Sequence, residues 1–380
     1  MKLFVCQACD QVLFFENTVC ERCGHTLGYL PEENDLSALE PVATGEDDKG
    51  GAWRPLSARA AEGATYRFCA NAAHGVCNWL VPEGGEAFCL ACRHNRVIPD
   101  LAIPGNAERW QRLETAKHRL IYTLLRLGLP IRTRQDDPRD GLAFDFLEDA
   151  ADGTRAMTGH QDGVVTIAVR EADDAARETM RVAMGEPYRT LLGHFRHEVG
   201  HYYWNLLVRD GGGDESGDSD EGALAACRAI FGDDRADYRA ALQHHYQSGP
   251  PPGWQDHYVS DYATTHAWED FAETWAHYLH IVATLETARA YGLSVGAQAP
   301  GNPAPQAGPA PQADIDFDPY DVESFEPVAR AWMPLTYAIN SLNRSMGQAD
   351  FYPFVLAPPV LEKLAFIHDL VRRARNSVYC

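Results

Sequence analysis

Residues 191–204 read LLGHFRHEVGHYYW, and the five from His197 to His201 form the pattern HExxH. On a helix, positions i and i+4 share one face and lie about 6 Å apart along the axis. Two imidazoles so placed can share one Zn²⁺, and Glu198 is held beside the metal, where it can polarise a bound water. The flanks LLGHFR and YYWNLLV are largely apolar, so the helix is expected to be buried. Two His and a Glu on a buried helix are costly without a metal or a charge partner. That cost argues against the bland alternative, an ordinary helix with incidental histidines.

A zinc of this kind needs a third protein ligand and an open position. The candidates lie in SDYATTHAWEDFAETWAHYLH, residues 260–280, where Glu269, Glu273 and His277 recur at i, i+4 and i+8 and so line one helix face. Glu269 is the choice for ligand, with Glu273 and His277 as outer groups that fix a ligating His. Glu273 or His277 as the ligand is the rival reading, since spacing alone does not separate them. His244, His245, His266 and His280 read as surface or helix-packing residues.

Ten cysteines occur, eight of them before residue 93. Cys6-x-x-Cys9 and Cys20-x-x-Cys23 are two tight pairs whose knuckles can face each other and give four thiolates to a tetrahedral zinc, and Gly24 suits the turn behind the second pair. Cys69, Cys77, Cys89 and Cys92 form a looser quartet, with His74 in its long loop as a competing ligand. Four protein ligands leave no open position, so both sites are expected to be structural. Redox thiols are the alternative, but no βαβ pattern surrounds the pairs. Cys227 and Cys380 stand alone.

The 380 residues, 45% hydrophobic and 23% charged, allow two or three domains. The reading divides them into a first Cys unit (1–30), a linker (31–65), a second Cys unit (66–104) and a long domain (105–380). Residues 210–222 hold six acidic residues and five glycines, and 296–313 are a Pro/Ala/Gly tract, so both read as flexible insertions. Residues 106–128 carry helical spacing that stops at Gly128, and DGVVTIAV (162–169) reads as a strand. The fold class expected is α+β, with small Cys₄ units ahead of a mostly helical domain containing a small sheet.

The formal net charge of -21 argues against a nucleic-acid footprint, and Lys2 and Arg22 are the only cations in residues 1–30, too few for a phosphate track. No apolar run reaches the roughly 20 residues a membrane span needs, and no signal peptide is seen, so the expected compartment is the cytoplasm. The charge suits a chain that stays monomeric or assembles weakly.

The two Cys units followed by YRTLLGHFRHEVGHYYW and VSDYATTHAWEDFAETWAHYLH resemble the bacterial zinc-binding metallopeptidase family with an N-terminal zinc ribbon. A more distant similarity is to the lethal-factor-type gluzincins, in which a Tyr precedes the ligating Glu by seven residues and that Glu opens an E-x-F-A-E run. Here Glu269-Asp270-Phe271-Ala272-Glu273 has that form, and Tyr262 stands seven residues before Glu269. The resemblance implies a zincin-like fold, Glu269 as third ligand and Tyr262 as donor to the tetrahedral intermediate. The donor sets together make three zinc ions, one catalytic and two structural, and the hydrolytic reading takes a peptide or protein substrate. The hydrolytic reading makes Glu198 the general base and has residues 163–169 as an edge strand over the HEVGH helix, pairing with substrate. A non-catalytic scaffold, with ribbons that bind a partner, is the competing class.

Overall fold

In the computed structural model the described residues are 1–42, 51–61, 63–184, 186–210, 220–296 and 312–378. They form two compact units. One holds Lys2–Met184 and Thr190–Phe195, and the other holds Met1, 186–189 and the chain from Arg196 onward.

The unit built from Lys2 opens with β1 (Phe4–Val5) and β2 (Val12–Leu13), a hairpin whose turn carries Cys6 and Cys9. Then β3 (Leu27–Leu30), β4 (Asp35–Pro41), β5 (Trp53–Pro55), β6 (Tyr66–Phe68) and β7 (Leu80–Pro82) pair antiparallel in chain order as one five-stranded sheet. This corrects the reading of 31–65 as a linker. Leu36, Ser37, Ala38 and Leu39 are all buried, and Leu30, Leu39, Tyr66 and Leu80 form a core that spans both Cys units. Leu27, Tyr29 and Leu30 are fully buried as well, so the two units share one sheet and one interior.

Next come β8 (Asn95–Val97) and α1 (Asn106–Leu127), which ends where Gly128 turns left-handed at φ 67° and donates its N–H to the Leu124 and Leu125 carbonyls. Apolar positions at Leu113, Ala116, Leu120, Leu124 and Leu127 form the buried stripe of α1. Its Tyr122 joins Phe15, Tyr29 and Trp79 in an aromatic cluster, with Phe15 and Tyr29 edge to face at 4.8 Å. β9 (Ala143–Leu147), β10 (Gly159–Gln161) and β11 (Val164–Ala168) complete a second sheet in the order β10-β11-β9-β8. β11 therefore lies inside the sheet, parallel to β9 and antiparallel to β10. It is not the edge strand expected of 163–169, because the short strand Gly159–Gln161 takes up its outer side. The helix α2 (Asp174–Met184) closes this part.

The helix α3 (Leu191–Trp204) carries HEVGH, and its residues from Arg196 belong to the second unit. That unit continues with α4 (Asp220–Phe231), α5 (Tyr238–Ser248), α6 (Ala267–Ala290), a two-stranded sheet of β12 (Ser294–Gly296) and β13 (Gln312–Asp314), α7 (Glu326–Ser345) and α8 (Pro358–Val378). The helix α6 is buried on most of its circumference and packs against α4, α7 and α8. It is pinned to α8 by a buried ion pair, Lys363 Nζ to Asp270 Oδ2 at 2.6 Å, with Lys363 also donating to the His257 carbonyl. Most of each expected insertion lies outside the described residues. The fold is α+β, with eight α-helices among the described residues. None of these helices is long and apolar enough to cross a membrane.

Candidate metal centres

The chain from Arg196 brings together His197, Glu198 and His201 from α3 with Glu269 and Glu273 from α6. Ligand atoms of His197, His201 and Glu269 all lie within 4.8 Å of one another. Glu269 Oε2 is 3.0 Å from His197 Nε2 and 3.5 Å from His201 Nε2. Three ligands about 2.0–2.1 Å from a tetrahedral zinc are spaced roughly 3.3 Å apart, the same range. The two helices approach this closely because residue 200 is glycine. A Cβ there would sit 3.0 Å from Ala272 Cα and 3.2 Å from the Ala272 carbonyl oxygen.

The hydrogen bonds around these three residues test the fit to a metal. Glu273 Oε1 lies 2.7 Å from His197 Nδ1, and its Oε2 accepts the Ser260 hydroxyl at 2.6 Å. A carboxylate only accepts, so Nδ1 carries a hydrogen, and Nε2 is left facing Glu269 Oε2, where either a proton or a metal ion can stand between them. That oxygen is buried and receives no well-aligned hydrogen bond. Two lone pairs facing at 3.0 Å repel unless a proton or a metal ion lies between them, and zinc can take the proton's place. Two imidazoles and a carboxylate are a zinc donor set, and three protein ligands leave a position open. The residues fit the metal.

The remaining polar contacts order this pocket. Tyr238, on α5, donates its hydroxyl to Glu269 Oε1 at 2.8 Å, leaving Oε2 for the histidines. Trp268 lies against the His201 ring at 3.7 Å between centroids, and Tyr262 packs at 5.9 Å from the His197 ring. Burial, assisted by the Glu269 and Glu273 charges and opposed by His197, raises the Glu198 carboxyl to about 7. Burial opposes ionisation of Glu269 too, but His201 and His197 outweigh it and hold this carboxyl well below its usual range. Burial pushes the Tyr262 hydroxyl up, so it stays protonated and able to donate.

Each Cys quartet also closes on itself, with all four sulfurs within 4.8 Å of one another. In the first, Cys6 and Cys23 Sγ are 3.6 Å apart, as are Cys9 and Cys20. The residue after each pair, Asp10 at φ 59° and Gly24 at φ 77°, is left-handed, and its N–H bonds back to the Cys6 or Cys20 carbonyl. In the second, Cys77 and Cys89 Sγ are 3.7 Å apart, and Cys69, Cys77 and Cys89 each accept a backbone N–H.

Several expected residues have other partners. His277 hydrogen-bonds Tyr352 through Nδ1 at 2.7 Å, not the Glu273–His197 pair it was expected to support. His74 packs on Trp110 and is not among the grouped ligands. His266 caps α6 by accepting from the Trp268 N–H. His245 is half-buried, its ring 6.2 Å from that of Tyr262. The sequence reading missed Tyr238, Ser260 and His118. Tyr238 lies 31 residues before Glu269 and Ser260 lies 13 before Glu273, so neither shares a helix period with its partner.

The donor sets are those of zinc sites, two closed Cys quartets and one trio of His197, His201 and Glu269 that leaves a position open. Residues 106–370 match the family described as "Putative zinc-binding metallo-peptidase", and residues 3–103 match a zinc-ribbon domain. The chain belongs to that metallopeptidase family, with an N-terminal zinc ribbon. It is 41% identical over 374 residues to uncharacterized proteins of Mycobacterium bovis and Mycobacterium tuberculosis, covering 98% of this chain and 95% of theirs. No solved structure matches the chain.

Proposed function

We propose that this chain is a zinc-dependent peptidase that hydrolyses peptide bonds, with Glu198 as general base. The observation that carries the reading is the convergence of His197, His201 and Glu269, with Glu198 buried next to His197 on the same helix. Zinc held by those three residues supplies a lowered water pKa and a Lewis acid for the scissile carbonyl.

The chain's own residues do the rest. Glu198 takes a proton from the attacking water and delivers it to the leaving amine. The Tyr262 hydroxyl donates to the oxygen of the tetrahedral adduct, a preorganised contact worth roughly 3 kcal/mol. Glu273, with Ser260, holds His197 in the tautomer that leaves Nε2 free. Tyr238 fixes the Glu269 carboxylate from its far oxygen.

The test is a peptide-library digest with wild type and Glu198→Gln at equal zinc content. The reading predicts cleavage by the wild type and loss of at least about a hundredfold in the variant. Full cleavage by Glu198→Gln would remove Glu198 from the mechanism.

A further inference from the structure

The second Cys quartet has a fifth donor within reach. His118, on α1 and 26 residues after Cys92, points Nε2 at the cluster, 3.4 Å from Cys77 Sγ and 3.9 Å from Cys92 Sγ. In a tetrahedral zinc site with Zn–S about 2.3 Å and Zn–N about 2.0 Å, a nitrogen and a sulfur lie roughly 3.5 Å apart. His118 Nε2 therefore stands at a ligand's distance from Cys77 Sγ, with Cys92 Sγ somewhat farther off.

The ring's orientation is fixed by its other nitrogen. His118 Nδ1 is 2.6 Å from the Glu114 carbonyl oxygen. A carbonyl can only accept, so Nδ1 carries a hydrogen, and Nε2 is the nitrogen left to face the sulfurs and to give its lone pair to a metal once it has lost its proton. A ring N–H donated to a backbone carbonyl is the usual support of a metal-ligating histidine. His118 and Glu114 are both buried, and with Cys92 they form a group able to hold a metal.

Zinc takes four ligands here, so one of the five donors is spare. Of the four cysteines, Cys77 is nearest to His118, lies outside the Cys89-x-x-Cys92 pair and is only half-buried. Cys77 and His118 also line the same cleft of about 420 Å³, with Phe15, Val19, Asn78 and Thr115. We infer that His118 is a reserve zinc ligand that takes the place of Cys77, so the second centre can hold its metal as Cys₃His. The Cys77 thiolate can then leave the metal and face the cleft while the ribbon stays folded around its zinc.

The experiment measures zinc per full-length chain, after gel filtration under reducing conditions, in Cys77→Ala, Cys77→Val, His118→Ala and Cys77→Ala/His118→Ala. The single variants are expected to keep the wild-type zinc content, and the double variant to lose about one zinc. Loss of one zinc by both Cys77 variants overturns the inference, and so does full retention by the double variant. Cobalt(II) loading reads the ligands without relying on counts. In Cys77→Ala the thiolate-to-cobalt charge-transfer absorption should fall by about one-eighth, because seven sulfurs ligate instead of eight. A fall by about half would mean the whole centre is lost and would overturn the inference.

Discussion

Glu273 Oε1 is 2.7 Å from His197 Nδ1, so a carboxylate one turn beyond Glu269 on α6 sets the tautomer of the first histidine of HEVGH. Outer partners of this kind cost about 10–100-fold in metal affinity or activity when removed. Glu273→Ala should therefore weaken zinc binding at this site by that factor, measured by chelator competition. Ser260→Ala, which removes only the hydroxyl on Glu273 Oε2, should weaken it less. Equal zinc affinity in Glu273→Ala and wild type would contradict the role given to this pair.

Tyr238 and Tyr262 should separate in their effects. Tyr238→Phe strips the hydrogen bond from a buried carboxylate oxygen, at a cost of about 1–3 kcal/mol, so zinc affinity should fall on the order of tenfold. Tyr262→Phe should leave zinc affinity unchanged and lower kcat by about a hundredfold, since its hydroxyl acts on the reacting oxygen. Chelator competition and steady-state kinetics on both variants check the split. An affinity loss in Tyr262→Phe with kcat intact would reverse the assignment.

Gly200→Ala should destabilise the fold around α3 and α6. The added Cβ would meet the Ala272 backbone at 3.0 and 3.2 Å and Trp275 Cβ at 3.2 Å, none of them a flexible side-chain end. Overpacking of this kind costs typically about 1–3 kcal/mol. A lowered thermal midpoint for the zinc-loaded variant is the expected result, and an unchanged midpoint would show that the helices can part without cost.

Lys117 and Glu114 form an ion pair at 2.8 Å with no exposed side-chain surface. Glu114 also accepts from Asn95 and from the Trp110 indole. Lys117→Met leaves a buried carboxylate without its counter-charge and should cost about 3–5 kcal/mol, whereas Lys117→Met/Glu114→Leu should cost less. Denaturant unfolding of the two variants gives the comparison. A double variant weaker than the single one would mean that Glu114 is held mainly by its neutral donors.

Much of the candidate metal pocket was legible because it is written in helix periods. His197 and His201 are one turn apart on α3, and Glu269 and Glu273 are one turn apart on α6, so spacing alone put each pair on a face. The sulfur quartets were legible from their knuckles. Residues 31–65 were misread for a physical reason: β4 lies between β3 and β5 with four consecutive buried residues, so it shows none of the alternation that marks a half-exposed strand. Acidic and proline-rich neighbours then dominated its composition. The position of β11 inside its sheet depends on the three-residue strand Gly159–Gln161, too short to register as a period. His118 and Tyr238 reach their sites only through tertiary packing, His118 from a helix in which it reads as one polar residue among many.

Zinc per chain, measured by elemental analysis on wild type and His197→Ala purified under reducing conditions, tests the central claim most directly. The account predicts about three zinc ions in the wild type, two in the sulfur quartets and one on His197, His201 and Glu269, and about two in the variant. The same count in both proteins would contradict it. His197 would then hold no metal, and the HEVGH helix would carry no hydrolytic site.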